Sequence, residues 1–94
     1  MVLTRTLFRL GRVVATAGAL EALSDAKQGA SIFLELHQEG EWGDVSLEDK
    51  ATNMLALVTG ERLISRYRTA KNVRLWIITE ADRSSTTILL PEEY

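Results

Sequence analysis

From residue 61 onward the hydrophobic pattern has a period of two, and this alternation limits what the C-terminal third of the chain can become. Leu63, Ser65 and Tyr67 alternate with Arg62, Ile64, Arg66 and Arg68; Val73, Leu75 and Ile77 alternate with Arg74, Trp76 and Ile78; a third run covers Thr86 to Leu90. Successive side chains of a strand point to opposite faces, so the pattern predicts a three-stranded antiparallel meander. Register follows from keeping the apolar set together. A three-residue loop of Ala70, Lys71 and Asn72, with Asn72 in the left-handed region, sets Tyr67 against Leu75, Ser65 against Ile77 and Leu63 against Thr79. A two-residue loop would instead put Arg68 on the core face, at a large burial cost. A second turn at Asp82 and Arg83 pairs Thr79 with Thr86, Ile77 with Ile88 and Leu75 with Leu90.

The other face is then fixed by elimination. It carries Arg62, Arg66, Arg68, Arg74, Trp76 and Glu80, with Ile64, Ile78, Ser85, Thr87 and Leu89. Arg62 opposes Glu80 as an ion pair, Arg66 opposes Trp76 as a cation–π contact, and Arg68 opposes Arg74. Two like charges directly across strands cost stability unless something separates them. This basic and aromatic face is therefore the expected binding surface for a protein or nucleic-acid partner. A homodimer that buries it is the third possibility.

Upstream of residue 61 the period is helical. Phe8 to Ala15 suggests a short strand. Thr16 is placed to cap a helix carrying Ala19, Leu20 and Leu23 and closing near Gly29. A second helix is expected over Ser31 to Glu39, with Ile32, Phe33 and Leu36 on one stripe and Gly40 at its left-handed end. A third has Ser46 as N-cap, Asp49 three residues on, and Gly60 as its stop. Its positions Leu47, Ala51, Met54, Leu55 and Val58 form a stripe expected to pack on the sheet. The fold class is α+β: an N-terminal strand and three helices on a C-terminal antiparallel meander, with room for the N-terminal strand as a fourth.

With 94 residues the chain has the length of one domain, and 46% apolar with 26% charged residues is an ordinary globular composition. The absence of cysteine excludes disulfides and thiolate metal sites. No apolar run approaches a membrane span, and Met1 to Val14 interleaves Arg5, Arg9 and Arg12 with its apolar residues, unlike a signal peptide. The expectation is a cytoplasmic protein with no membrane partner. Charge is unevenly spread: residues 35–49 hold six acids and no Lys or Arg, and residues 62–74 hold five bases and no acid. The two regions either steer a polar partner or neutralise each other inside the fold.

Chemistry-bearing motifs are few. His37, the only histidine, falls in the last turn of the second helix between Glu35 and Glu39, a setting that favours its charged form. It reads as a capping or surface residue, with a general acid–base role as the sharper alternative. No ligand spacing for a metal occurs, and neither GxGxxG, GxxxxGK[ST] nor GxSxG is present, so no cofactor or nucleophile is expected. Trp42, in EGEWGD, either anchors a partner or folds over the core. A metal-independent ribonuclease could use Glu80, Arg62, Arg66 and Arg74, with Trp76 as a stacking platform, although the chain lacks a strongly basic footprint.

The stretches FRLGRVVATAGALEAL, HQEGEWGDVSLEDKATN and SRYRTAKNVRLWIITEADRSSTTILLPEEY resemble a family of short bacterial proteins, often encoded on plasmids and integrated mobile elements. The family usually shows GDWGD where this chain has Gly40-Glu41-Trp42-Gly43-Asp44. The resemblance implies a small mobile-element accessory protein and no established activity. Some members carry the label of a restriction-enzyme modification subunit, but this chain has neither the cofactor domain nor the NPPY-like motif such a subunit needs. The element order is also similar to barnase-like and RelE-like ribonucleases and toxins, a likeness of fold only.

Overall fold

A computed structural model describes residues 5–94; the first four residues, part of the stretch read above as unlike a signal peptide, lie outside the described residues. The elements are β1 (Arg12–Ala15), α1 (Ala17–Asp25), α2 (Ala30–Gln38), α3 (Leu47–Thr59), β2 (Leu63–Arg68), β3 (Arg74–Thr79), β4 (Ser85–Leu89) and a final 3₁₀ turn, Pro91–Glu93. Three helices and a mostly antiparallel four-stranded sheet make an α+β fold, with strand order β1-β4-β3-β2 and β1 parallel to β4. Among the described residues no helix is long and apolar enough to cross a membrane.

The meander has the register that burial demands. Leu63 pairs with Thr79, Ser65 with Ile77, Tyr67 with Leu75, Ile77 with Ile88 and Thr79 with Thr86. Asn72 takes φ 63° at the first hairpin, where the Thr69 N–H donates to the Val73 carbonyl at 2.8 Å. Leu63, Tyr67, Leu75, Ile77 and Ile88 are buried. With Ala19, Ala22, Leu23 and Phe33, the last four form the main core, under α1 and α2. A second cluster joins Leu63 to Phe8, Trp42 and Ala56. Trp42 thus belongs to the core.

The expected N-terminal strand is shorter than its alternation suggests. Gly11, at φ 65°, packs so closely on the β3–β4 turn that a Cβ would lie 2.4 Å from the Arg83 and Ser84 carbonyl oxygens. The chain enters the sheet only after this crossing. Phe8 to Leu10 instead bridge to α2 and β4: Gln38 Nε2 donates to the Phe8 carbonyl and Thr86 Oγ1 to that of Leu10. Thr16 caps α1 as expected, accepting from the Ala19 N–H at 3.1 Å. The helix ends before Gly29, because Lys27 takes the left-handed conformation at φ 55° and Gly29 is the N-cap of α2.

Two stripes differ from expectation. On α2 the buried positions are Phe33 and His37, one turn apart, while Ile32 is exposed. The polar His37 lies on the inward stripe because hydroxyls on the sheet receive it. On α3 the residues facing the fold are Asn53 and Ala56, whereas Leu47, Met54, Leu55 and Val58 face solvent. The reason is a sheet-edge contact: the Asn53 carboxamide accepts from the Ile64 N–H at 3.2 Å and donates to the Ile64 carbonyl at 2.8 Å. One side chain thereby substitutes for a neighbouring strand on β2. The same edge is closed one step on, where Arg66 N–H donates to the Trp42 carbonyl and its carbonyl accepts from Asp44 N–H.

Candidate binding face

The outer face of the sheet gathers every residue expected there. Arg66, Arg68, Arg74 and Trp76, with Asp44 and Tyr67, line a cleft of about 310 Å³. The Arg66 guanidinium carbon stands 4.9 Å from the centre of the Trp76 ring. Arg68 pairs across the strands with Arg74. Their repulsion is relieved on one side only: Arg68 Nε donates to Asp44 Oδ2 at 3.1 Å and its Nη1 to Asn72 Oδ1 at 3.0 Å. Among the described residues Arg74 forms no ion pair.

Arg62 and Glu80 lie outside the cleft, paired with each other at 3.2 Å. Arg62 Nη1 also reaches the Tyr94 hydroxyl at 3.1 Å, and Tyr94 stands edge-on to Trp76 with ring centres 5.5 Å apart. The pKa of Arg62 is raised by the Glu80 carboxylate, which accepts the guanidinium's hydrogen bond. Ile78 and Leu89, both on this side, are nonetheless buried, so the outer face is a partly covered surface and not an open one.

Asp44, Asp49, Tyr67 and Tyr94 are the residues that strand alternation could not supply. Asp49 receives Arg66 Nη1 at 3.3 Å, and Asp44 receives Arg68. The acidic stretch upstream and the basic stretch downstream therefore do neutralise each other across the fold. The only hint in the sequence was the complementary charge of the two segments. Tyr67 is an inner-face residue that reaches the rim: its hydroxyl donates to the Glu41 carbonyl, and burial raises its pKa to about 12.

The inner face holds a second polar array, centred on His37, which is sealed from solvent. Thr86 Oγ1 donates to the Leu10 carbonyl at 2.7 Å, and a carbonyl only accepts. Thr86 must then accept from Thr79 at 2.7 Å, and Thr79 from His37 Nε2–H at 2.9 Å. This leaves Nδ1 as the acceptor of the Ser65 hydroxyl at 2.5 Å. The bonding chain fixes a proton on Nε2, and burial keeps the ring neutral, with Nδ1 unprotonated. Burial, and secondarily the Arg83 charge, lower the His37 pKa to about 3. The expectation of a charged surface or capping histidine is thus corrected: desolvation outweighs the helix end and the neighbouring glutamates. Phe8 and Trp42 each present an edge-to-face ring contact to the imidazole, at 5.0 and 5.7 Å, so no substrate can reach it. Among the described residues no group of three or more His, Asp or Glu could hold a metal ion.

Comparison of the chain with family models, with curated proteins and with solved structures returns no match.

Proposed function

We propose that this chain is a small non-catalytic binding protein, a mobile-element accessory protein as its sequence resemblance suggests, that takes an acidic segment of a protein partner on the outer face of its sheet. The observation that carries this reading is the cleft among Arg66, Arg68, Arg74 and Trp76, in which Arg74 forms no ion pair among the described residues. A carboxylate seated there would receive planar guanidinium donors and relieve the Arg68–Arg74 repulsion. Arg, Trp and Tyr are also the residue types that dominate the energetics of protein interfaces.

Nucleic acid fits this surface less well. Asp44, Asp49 and Glu80 already pair with three of the four arginines, and the chain carries a net charge of -2. Phosphate-backbone binding draws on a surplus of positive charge that is small here. The ribonuclease alternative has less support: Glu80 is tied to Arg62 outside the cleft, and the only histidine is sealed on the opposite side of the sheet.

The test is a titration of the full chain with polyglutamate and with a single-stranded RNA 12-mer, followed through the Trp76 indole and arginine side-chain resonances. Polyglutamate is expected to shift the Arg74 and Trp76 signals, and Arg74→Ala to weaken its binding about tenfold, the loss of one charge-assisted contact. Binding of RNA alone would transfer the face to nucleic acid. Cleavage of the RNA in EDTA, abolished by Glu80→Ala, would establish the ribonuclease instead. Signals unmoved by either polymer would end the proposal.

A further inference from the structure

We infer that two copies of this chain associate through α3, in an antiparallel, two-fold symmetric helix pair. The observation is the reversal described above. Leu47 is 86% exposed, Met54 49%, Leu55 60% and Val58 84%. At about 100° per residue, this stripe is centred roughly 170° round the helix from the Asn53/Ala56 side that docks on β2. A helix that docks through Asn53 and Ala56 and carries an apolar stripe on the nearly opposite side has the pattern of one covered on both. The fold supplies one cover.

The spacing suits a second copy of the same helix as the other. Leu47, Ala51, Met54 and Val58 recur at intervals of 4, 3 and 4, the two-per-heptad seam of a paired helix. That series reads the same in both directions, which a two-fold axis requires: Leu47 meets Val58 of the second copy, and Ala51 meets its Met54. No seam position is charged. Small Ala51 opposite long Met54 lets the helices close at the middle, and each end matches a Leu with a Val.

Size sets the strength. A 13-residue helix is about 20 Å long, and one such pair covers less than the roughly 800 Å² per partner of a standard stable interface. A groove of about 400 Å³ at the start of α3 enlarges it: Leu36, Trp42, Val45, Leu47, Lys50 and Tyr67 line it, at the end of the helix where the second copy's Val58 would arrive. The dimer is therefore expected to be micromolar, not nanomolar. Arg74 and Trp76 lie on the sheet and not on this seam, so the association does not depend on the function proposed above.

Sedimentation equilibrium of the full chain, from low micromolar to about 0.5 mM, tests it across the expected dissociation range. The weight-average mass should climb from 10.5 kDa toward twice that value. Met54→Glu, beside the proposed axis, and Val58→Lys, at a position already open to solvent, should each hold the mass at 10.5 kDa with an unchanged circular dichroism spectrum. Trp76→Ala should associate like the parent. A parent chain that stays monomeric at the highest concentration, or folded Met54→Glu and Val58→Lys variants that associate as the parent does, would overturn the inference. The first result would leave the stripe to a different protein.

Discussion

The two faces of the β2–β3 hairpin put polar residues to opposite uses, although those residues are chain neighbours. Ser65 and Thr79 point inward to a sealed histidine; Arg66 and Glu80, one residue further along, point outward to ion pairs that solvent reaches. In the inner array every hydroxyl has a fixed donor and acceptor role, because the chain of bonds terminates on a backbone carbonyl. In the outer array each charge can exchange its partner for water or for a ligand. A buried network is costly to break and unavailable for binding, whereas an exposed one contributes little to folding and can be reorganised. Function is therefore sought on the outer face even though the inner one resembles a catalytic array in composition.

The sharpest way to break this contrast is to remove its centre. His37→Ala would leave a cavity between α2 and the sheet and strip the Ser65 and Thr79 hydroxyls of their imidazole partner. The transfer, cavity and desolvation costs together predict a loss of about 3–5 kcal/mol, read from the urea midpoint at constant m-value. A loss below about 1 kcal/mol would mean that water replaces the ring, and that the inner array is no more structural than the outer.

A second consequence is pH dependence. An unfolded imidazole binds a proton near pH 6.5, and the buried one only near pH 3. Between those values the unfolded chain holds more protons than the folded one, so stability falls as pH drops through the window and is flat above it as far as this group is concerned. From pH 7 to pH 5 the loss should be about 2 kcal/mol. His37→Gln should remove that slope, whatever its own effect on stability. Persistence of the slope in the variant would assign it to carboxylates.

The sequence carried the strand register, save the expected Leu75–Leu90 pair, which falls beyond the end of β4, because a slip of one residue would have buried Arg62, Arg66 and Arg68 together. Helix faces were less legible. The α3 stripe is strongly periodic, but periodicity states only that a face is apolar, not what covers it; Asn53, a polar residue with two bonds to make, decided which side met the sheet. His37 was misplaced for a related reason. A lone histidine between glutamates reads as solvated, and its hydroxyl partners at 65 and 79, with Thr86 behind Thr79, are distant in sequence. The outer face was legible residue by residue, yet its neutralisation by Asp44 and Asp49 depends on how the loop before α3 returns to the β2 edge.

The smallest expected effect tests the other half of the comparison. Arg62 and Glu80 meet with side chains 46% and 41% exposed, so solvent screens their attraction and ordering two long side chains offsets part of it. Glu80→Gln keeps the shape, and Arg62 keeps the Tyr94 hydroxyl. The variant should lose less than about 1 kcal/mol in low salt, and its difference from the parent should shrink further in about 0.5 M sodium chloride, where the Debye length is only a few ångströms. The His37→Ala deficit should survive the same salt unchanged, since no ions lie inside that array. If Glu80→Gln instead cost as much as the histidine substitution, or ignored salt, the outer charges would be part of the scaffold and the face would not be free to exchange Asp44 or Asp49 for a partner's carboxylate.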